Sequence, residues 1–305
     1  MNTSHFPQDP NPQEPGSPQN PVQETSPVQE TAVEATPAAA VPQAIVPEFA
    51  APEATNLEPV APEAVVPASV APQLPVTPQA APTAGARPAI EIRGLTKAFG
   101  QKVAVDRINL DIPSGSFYGL VGRNGAGKTT TISMVTGMLK PNEGTAYVRG
   151  IDMWADPLKA KAHLGVLPDG VHLFDKLTGE QLITYSGYLH GIDKETVASR
   201  VKDLLAAMDL TDAAGRAVAD YSAGMTKKIA LAAALVHAPS VLILDEPFEA
   251  VDPVSAANIQ DILRGFVASG GTVIISSHVM DLVQRLCDHV AVMDSGRILA
   301  AGTVD

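Results

Sequence analysis

"FYGLVGRNGAGKTTTISMVTGML", residues 117–139, passes from a near-continuous apolar run into a glycine-rich turn and then into a helical stretch. Within it, Gly122, Arg123, Asn124, Gly125, Ala126, Gly127, Lys128 and Thr129 fit the phosphate-loop pattern G-x-x-x-x-G-K-[ST]. The glycines let backbone N–H groups converge on anionic oxygens. Lys128 supplies a point charge for the β- and γ-phosphates, and Thr129 a hydroxyl for Mg²⁺. The helix that starts there adds the positive end of its dipole. An ordinary glycine-rich turn does not explain this order of strand, loop and helix, so the stretch marks a nucleoside triphosphate site.

Outward from the loop, strand and helix patterns alternate. "AIEIRGL" (89–95) and "INLDI" (108–112) alternate apolar and polar residues like half-buried strands. "VLIL" (241–244), "TVIIS" (272–276) and "VAVM" (290–293) are apolar strands separated by helix-length segments. Such a succession predicts an α/β fold, a mainly parallel sheet with helices on its faces. Residues 178–237 break the rhythm with helix-like "GEQLITYSGYLH" (179–190) and "KETVASRVKDLLAAMDL" (194–210). A small helical subdomain, about 170–238, is expected there inside a domain spanning 89–305.

"VLILDEP" (241–247) sends a buried strand into two adjacent carboxylates at its C-terminal end, where sheet ligands bind. Asp245 is placed to hold Mg²⁺ through water and Glu246 to take a proton from an attacking water. A merely solvated strand end would not need four apolar residues running into the acids.

The first 88 residues are different in kind. They hold 19 of the 26 prolines, two glycines, nine acidic residues and one basic residue, Arg87. "PVQET" recurs at 21–25 and 27–31, and "APEA" at 51–54 and 61–64. Prolines at this density block helix and sheet, and Ala and Val bury too little surface to offset the ordering entropy. A disordered, partly polyproline-II tail is expected, either a solubilising extension or a docking arm. It lacks a basic start followed by an apolar core, so it does not read as a signal peptide.

The net charge of −12 argues mildly against nucleic acid as a partner. The most apolar run, residues 229–244, is broken by His237 and Pro239 and flanked by Lys227, Lys228 and Asp245, too short to cross a bilayer. A single cysteine, Cys287, excludes an internal disulfide and suits a reducing cytoplasm.

Phe99, "GRNGAGKTT", "GVLPDG" (165–170), "YSAGM" (221–225), "VLILDEP", "VDP" (251–253) and "SSH" (276–278) occur in this order. Together with a helical insertion between "LPD" and "YSAGM", the series resembles the ATP-binding cassette (ABC) ATPases over essentially all of 89–305. The resemblance implies the fold of that phosphate-loop family: a mainly parallel core, an N-terminal antiparallel β part and an inserted helical subdomain. It implies ATP and Mg²⁺ as ligands, with Phe99 stacking on adenine, Thr130 at the α-phosphate and His278 orienting the γ-phosphate and the water. His278 alone reads equally well as a polar tip past an apolar strand.

In that family, the loop matching Ser222, Ala223, Gly224 and Met225 caps the γ-phosphate of ATP held by another subunit, two cassettes packing head to tail. Ser222 and the N–H groups near Gly224, at the start of a helix expected over 226–237, would form such an anion site; the alternative is a plain N-cap serine, and the two need not exclude each other. Asp252 would lie at the dimer interface. Where the family usually presents glutamine, this chain has Asp169, either an Mg²⁺ ligand or a turn residue. Tyr221, Ala223 and Met225 resemble exporter-type cassettes that work with separate ABC-2-type permeases.

The expected function is therefore the ATP-hydrolysing subunit of a membrane exporter. Its partners would be a transmembrane permease and a second copy of itself, and its place cytoplasmic, on the inner face of the membrane. The alternative is a soluble or regulatory ABC ATPase not coupled to transport. Soluble family members of DNA repair or translation carry long coiled coils or tandem cassettes, which do not occur here.

Overall fold

Alternation of apolar and polar residues in the first folded stretch produces a hairpin, β1 (Ile90–Phe99) and β2 (Lys102–Ile112), paired antiparallel from Ile90↔Ile112 to Phe99↔Lys102. The computed structural model describes residues 87–170 and 173–304. The tail expected over 1–88 therefore lies outside the described residues, apart from Arg87 and Pro88. Next come β3 (Phe117–Val121), α1 (Lys128–Val135), β4 (Glu143–Val148), β5 (Ile151–Asp152), α2 (Pro157–Ala162) and β6 (Leu164–Leu167). The helices α3 (Gly179–Leu189), α4 (Lys194–Ala207) and α5 (Ala223–Leu235) follow, and then β7 (Val241–Leu244) and α6 (Pro253–Ala268). The described chain finishes with β8 (Thr272–Ser277), α7 (Met280–Leu286), β9 (His289–Asp294) and β10 (Arg297–Thr303).

Two sheets result. One is antiparallel, in the order β2-β1-β4-β5; the other runs β10-β9-β3-β8-β7-β6, parallel throughout except for the antiparallel edge pair β9 and β10. This is the expected α/β architecture with an N-terminal antiparallel part. The central strands are buried on both faces. In β3, Phe117 and Val121 enter one core while Tyr118 and Leu120 enter the other; in β7, Leu242 and Leu244 part from Val241 and Ile243 in the same way. A strand covered on both sides has no position for an unpaired polar side chain, which is why these runs are apolar without a break.

The strands the sequence did not announce are β4, β5, β6 and β10. "EGTAYV" and "RILAAGT" are edge or half-exposed strands with burial patterns too mixed to stand out. The helix after the phosphate loop stops at Val135 instead of reaching Leu139, and Gly137 takes a left-handed φ of 70° just beyond its end. Between α3 and α5 the described residues form only helices, two short 3₁₀ turns and one isolated bridge, Thr178↔Ala217. Cys287 is buried, and burial pushes its thiol up to about 12, so it packs rather than reacts. Trp154 packs, partly buried, against the core under the antiparallel sheet.

Candidate functional site

The phosphate loop is held by close backbone approach on both sides. A Cβ on Gly122 would collide with the Met293 carbonyl of β9, and one on Gly127 would come within 2.6 Å of the Ala104 carbonyl of β2. Gly127 also takes φ 108° as the residue before α1, a conformation side chains other than hydrogen resist. Ala126 is buried beneath the loop, while Arg123, Asn124 and Thr129 are exposed. The buried Lys128 donates to the Gly122 carbonyl at 2.8 Å and lies 3.4 Å from Glu246 Oε1. Its ammonium thus waits on backbone oxygens and one carboxylate, partners that a phosphate can replace.

The two acids at the end of β7 stand in different surroundings. Asp245 is 1% exposed and accepts a short hydrogen bond from the Ser276 hydroxyl of β8. Glu246 turns outward through φ 45°, and its N–H donates to the same Ser276 oxygen at 2.9 Å. The Glu246 Oε2 lies 3.2 Å from Nδ1 of the exposed His278, while Oε1 is buried with no hydrogen-bond partner. An orphaned carboxylate oxygen beside an ammonium suits a group that meets a proton or water arriving with the substrate.

A cleft of about 640 Å³ gathers Phe99, Asn124, Gly125, Gly127, Lys128, Thr129, Thr130, Asp169 and Glu246. Phe99, at the end of β1, is 52% exposed, a flat apolar ring left in solvent at the mouth of a polar cleft. For Mg²⁺ the donors fit: a hydroxyl at Thr129 and the carboxylates of Asp245 and Asp169 are hard oxygens. Among the described residues no group of three or more His, Cys, Asp or Glu forms a metal site of its own.

Ser222, Ala223, Gly224 and Met225 do not line this cleft. Here the structure corrects the expected helix: α5 begins at Ala223, not 226, with Ser222 as its cap, accepting the Met225 N–H at 3.3 Å. The helix can start early because Gly224 lets it approach α6. A Cβ at 224 would stand 2.6 Å from Ser255 Oγ and 2.7 Å from Asp252 Oδ2. Asp252 itself caps α6, accepting the Ser255 N–H at 2.9 Å, a bond that holds its carboxyl below the usual range. Ala223 instead lines a second cleft of about 590 Å³ with Tyr221, Lys227, Glu249 and Asp169.

Sequence reasoning gave Ser276, Lys227 and Glu249 no role in the site. Glu249 lines both clefts, and Lys227 Nζ donates to the Glu246 carbonyl at 3.3 Å. The serine that ends the otherwise apolar "TVIIS" and opens "SSH" was the signal for the first. His190 and His237 are stacked on each other, with centroids 3.7 Å apart.

A phosphate loop between a doubly buried strand and a helix, followed by paired acids at the end of a parallel strand two places away in the sheet, defines a phosphate-loop ATPase of the cassette class. The family profile described as ABC transporter matches residues 105–249. The daunorubicin/doxorubicin resistance ATP-binding protein DrrA of Streptomyces peucetius is 37% identical over 215 residues, 70% of this chain and 65% of that protein. The linearmycin resistance ATP-binding protein LnrL of Bacillus subtilis is 34% identical, covering 70% of this chain and 69% of that one. A solved ATP-binding subunit of an ABC transporter superposes with a TM-score of 0.67 at 25% identity, over 71% of this chain and 90% of that chain. The chain belongs to the ABC transporter family, as an ATP-binding protein and ATPase.

Proposed function

We propose that the chain powers a membrane exporter by hydrolysing ATP as one of a pair of identical cassettes bound to a separate permease. One observation carries the reading: Ser222–Met225 lie at a helix start outside the cleft that holds the phosphate loop and Glu246. An anion-ready helix N-terminus with no phosphate site of its own suits the nucleotide of a second copy. Its relatives' names speak of drug resistance, and among the described residues no helix is long and apolar enough to cross a membrane. Both features agree with a cassette that borrows its membrane path from a permease and works on the inner face.

In the cleft, Phe99 would stack on the adenine, while Lys128, Thr130 and the loop N–H groups hold the phosphates. Mg²⁺, held by Thr129 and Asp245 with Asp169 at the mouth, would neutralise phosphate charge. Glu246 accepts the proton of the attacking water as Lys128 leaves it for phosphate, and His278 keeps the carboxylate oriented through Nδ1. Asp252 would relay closure between the two sites from its place against Gly224.

The test is Glu246→Gln, which keeps shape but not basicity. Light scattering at millimolar ATP should show a stable dimer, with phosphate release down by about a hundredfold or more. A variant that stays monomeric and hydrolyses at the normal rate overturns the reading.

A further inference from the structure

Ser276 is the polar residue in the middle of the sheet that the mechanism above leaves unused. It lies on β8, is 0% exposed, and follows the apolar Val273, Ile274 and Ile275. A buried hydroxyl is tolerated only with its hydrogen-bonding capacity filled, and here two partners fill it. Its hydrogen goes to Asp245 Oδ1, and its lone pair receives the Glu246 N–H at 2.9 Å. One side chain on the neighbouring strand therefore grips both acids, the first by its carboxylate and the second by its peptide.

The grip matters because Glu246 sits in a conformation that its own chemistry does not favour. A φ of 45° is the left-handed region, uncommon for a residue with a Cβ, and it persists only where surrounding contacts determine it. The N–H is held by Ser276, while the carbonyl accepts from Lys227 Nζ at 3.3 Å and from the Glu249 N–H at 3.2 Å. Of these holds, only the one from Ser276 also reaches Asp245.

We propose that Ser276 is a positioning residue that sets the metal-side carboxylate of Asp245 and the proton-accepting Glu246 in one fixed relation, through its bridging hydroxyl. The inference rests on the proposed ATPase site. Removing the hydroxyl leaves a buried carboxylate oxygen and a buried N–H unpaired, and each acid then finds its own position. Both the affinity for Mg²⁺ and the rate of the chemical step follow.

The experiment uses the full chain with Ser276→Ala and Ser276→Cys, the latter filling the same space with a weaker donor and acceptor. In Ser276→Ala, kcat should fall about tenfold to a hundredfold with KM for ATP within about twofold, the signature of a lost transition-state arrangement. The Mg²⁺ concentration giving half-maximal binding of a fluorescent ATP analogue, a reading independent of turnover, should rise about threefold to tenfold. Ser276→Cys should fall between wild type and alanine in both. An unmoved Mg²⁺ midpoint or an unchanged kcat in Ser276→Ala overturns the bridge; if that variant does not fold, the same two readings in Ser276→Cys decide. Should the wild type itself hydrolyse nothing, the ATPase reading fails separately, and the Mg²⁺ midpoint still judges Ser276.

Discussion

Asp169 stands exposed where β6 gives way to the following loop, and it lines both the nucleotide cleft and the cleft beside Ala223. A carboxylate there accepts hydrogen bonds but donates none, and in the proposed site it would add negative charge beside the γ-phosphate. Glu249 adds another acid to the same two clefts. Asp169→Gln should therefore keep or raise the rate of ATP hydrolysis, measured as phosphate release at saturating Mg²⁺. A loss greater than about tenfold would show that the carboxylate itself serves the metal. The difference between Asp169 and Asp245 is one of burial: the first is in solvent, whereas the second is held by a hydroxyl inside the sheet.

The helical elements between β6 and β7 are held at their ends by local hydrogen bonds that the sequence encodes. In α3 the Thr178 hydroxyl accepts the Gln181 N–H at 3.2 Å, and the Gln181 side chain accepts the Thr178 N–H at 3.0 Å, a reciprocal capping box. The helix then buries Leu182, Ile183 and Gly187 against the core that α4 and α5 share. Thr178→Ala should cost about 1 kcal/mol in urea unfolding and leave nucleotide affinity unchanged. An unaltered urea midpoint would mean that packing alone fixes α3. The capping signals, at Thr178 as at Ser222, were legible as residues, whereas a helix running from Ala223 instead of 226 was not. Its first turn depends on the contact of Gly224 with Asp252 and Ser255, nearly thirty residues further on.

Across the whole molecule, the stacked histidines join the helices to the sheet. His237, just beyond α5, has Nε2 2.9 Å from the Leu164 carbonyl at the start of β6, and its ring lies flat on that of His190. Burial, with smaller contributions from His190 and Arg200, lowers the His237 pKa to about 4, and burial lowers that of His190 as well. Lys161 lines a cleft shared with His190 and His237 and adds a further positive charge. Between pH 6.5 and 4 the unfolded chain takes up a proton at His237 that the folded chain refuses. Stability therefore falls as the pH drops through that window, by about 3 kcal/mol for this residue. Melting temperatures recorded from pH 7.5 to 5.5 should decline, and His237→Gln should flatten the decline; an identical slope in the variant would remove His237 as its cause.

By itself the sequence determined the phosphate loop, the adjacent acids and the class of sheet. Each of these is written locally: glycines where backbone must close on an anion, and unbroken apolar runs where a strand is covered on both faces. Tertiary structure alone decided which residues surround the acids and where Ser222–Met225 lie. Parallel pairing sets β8 beside β7 and so brings Ser276 onto Asp245 and Glu246, thirty-one and thirty residues earlier in the chain. No local pattern records such a meeting, because the partners of a parallel strand are chosen by the crossover helices and the order of the sheet, not by neighbours in sequence.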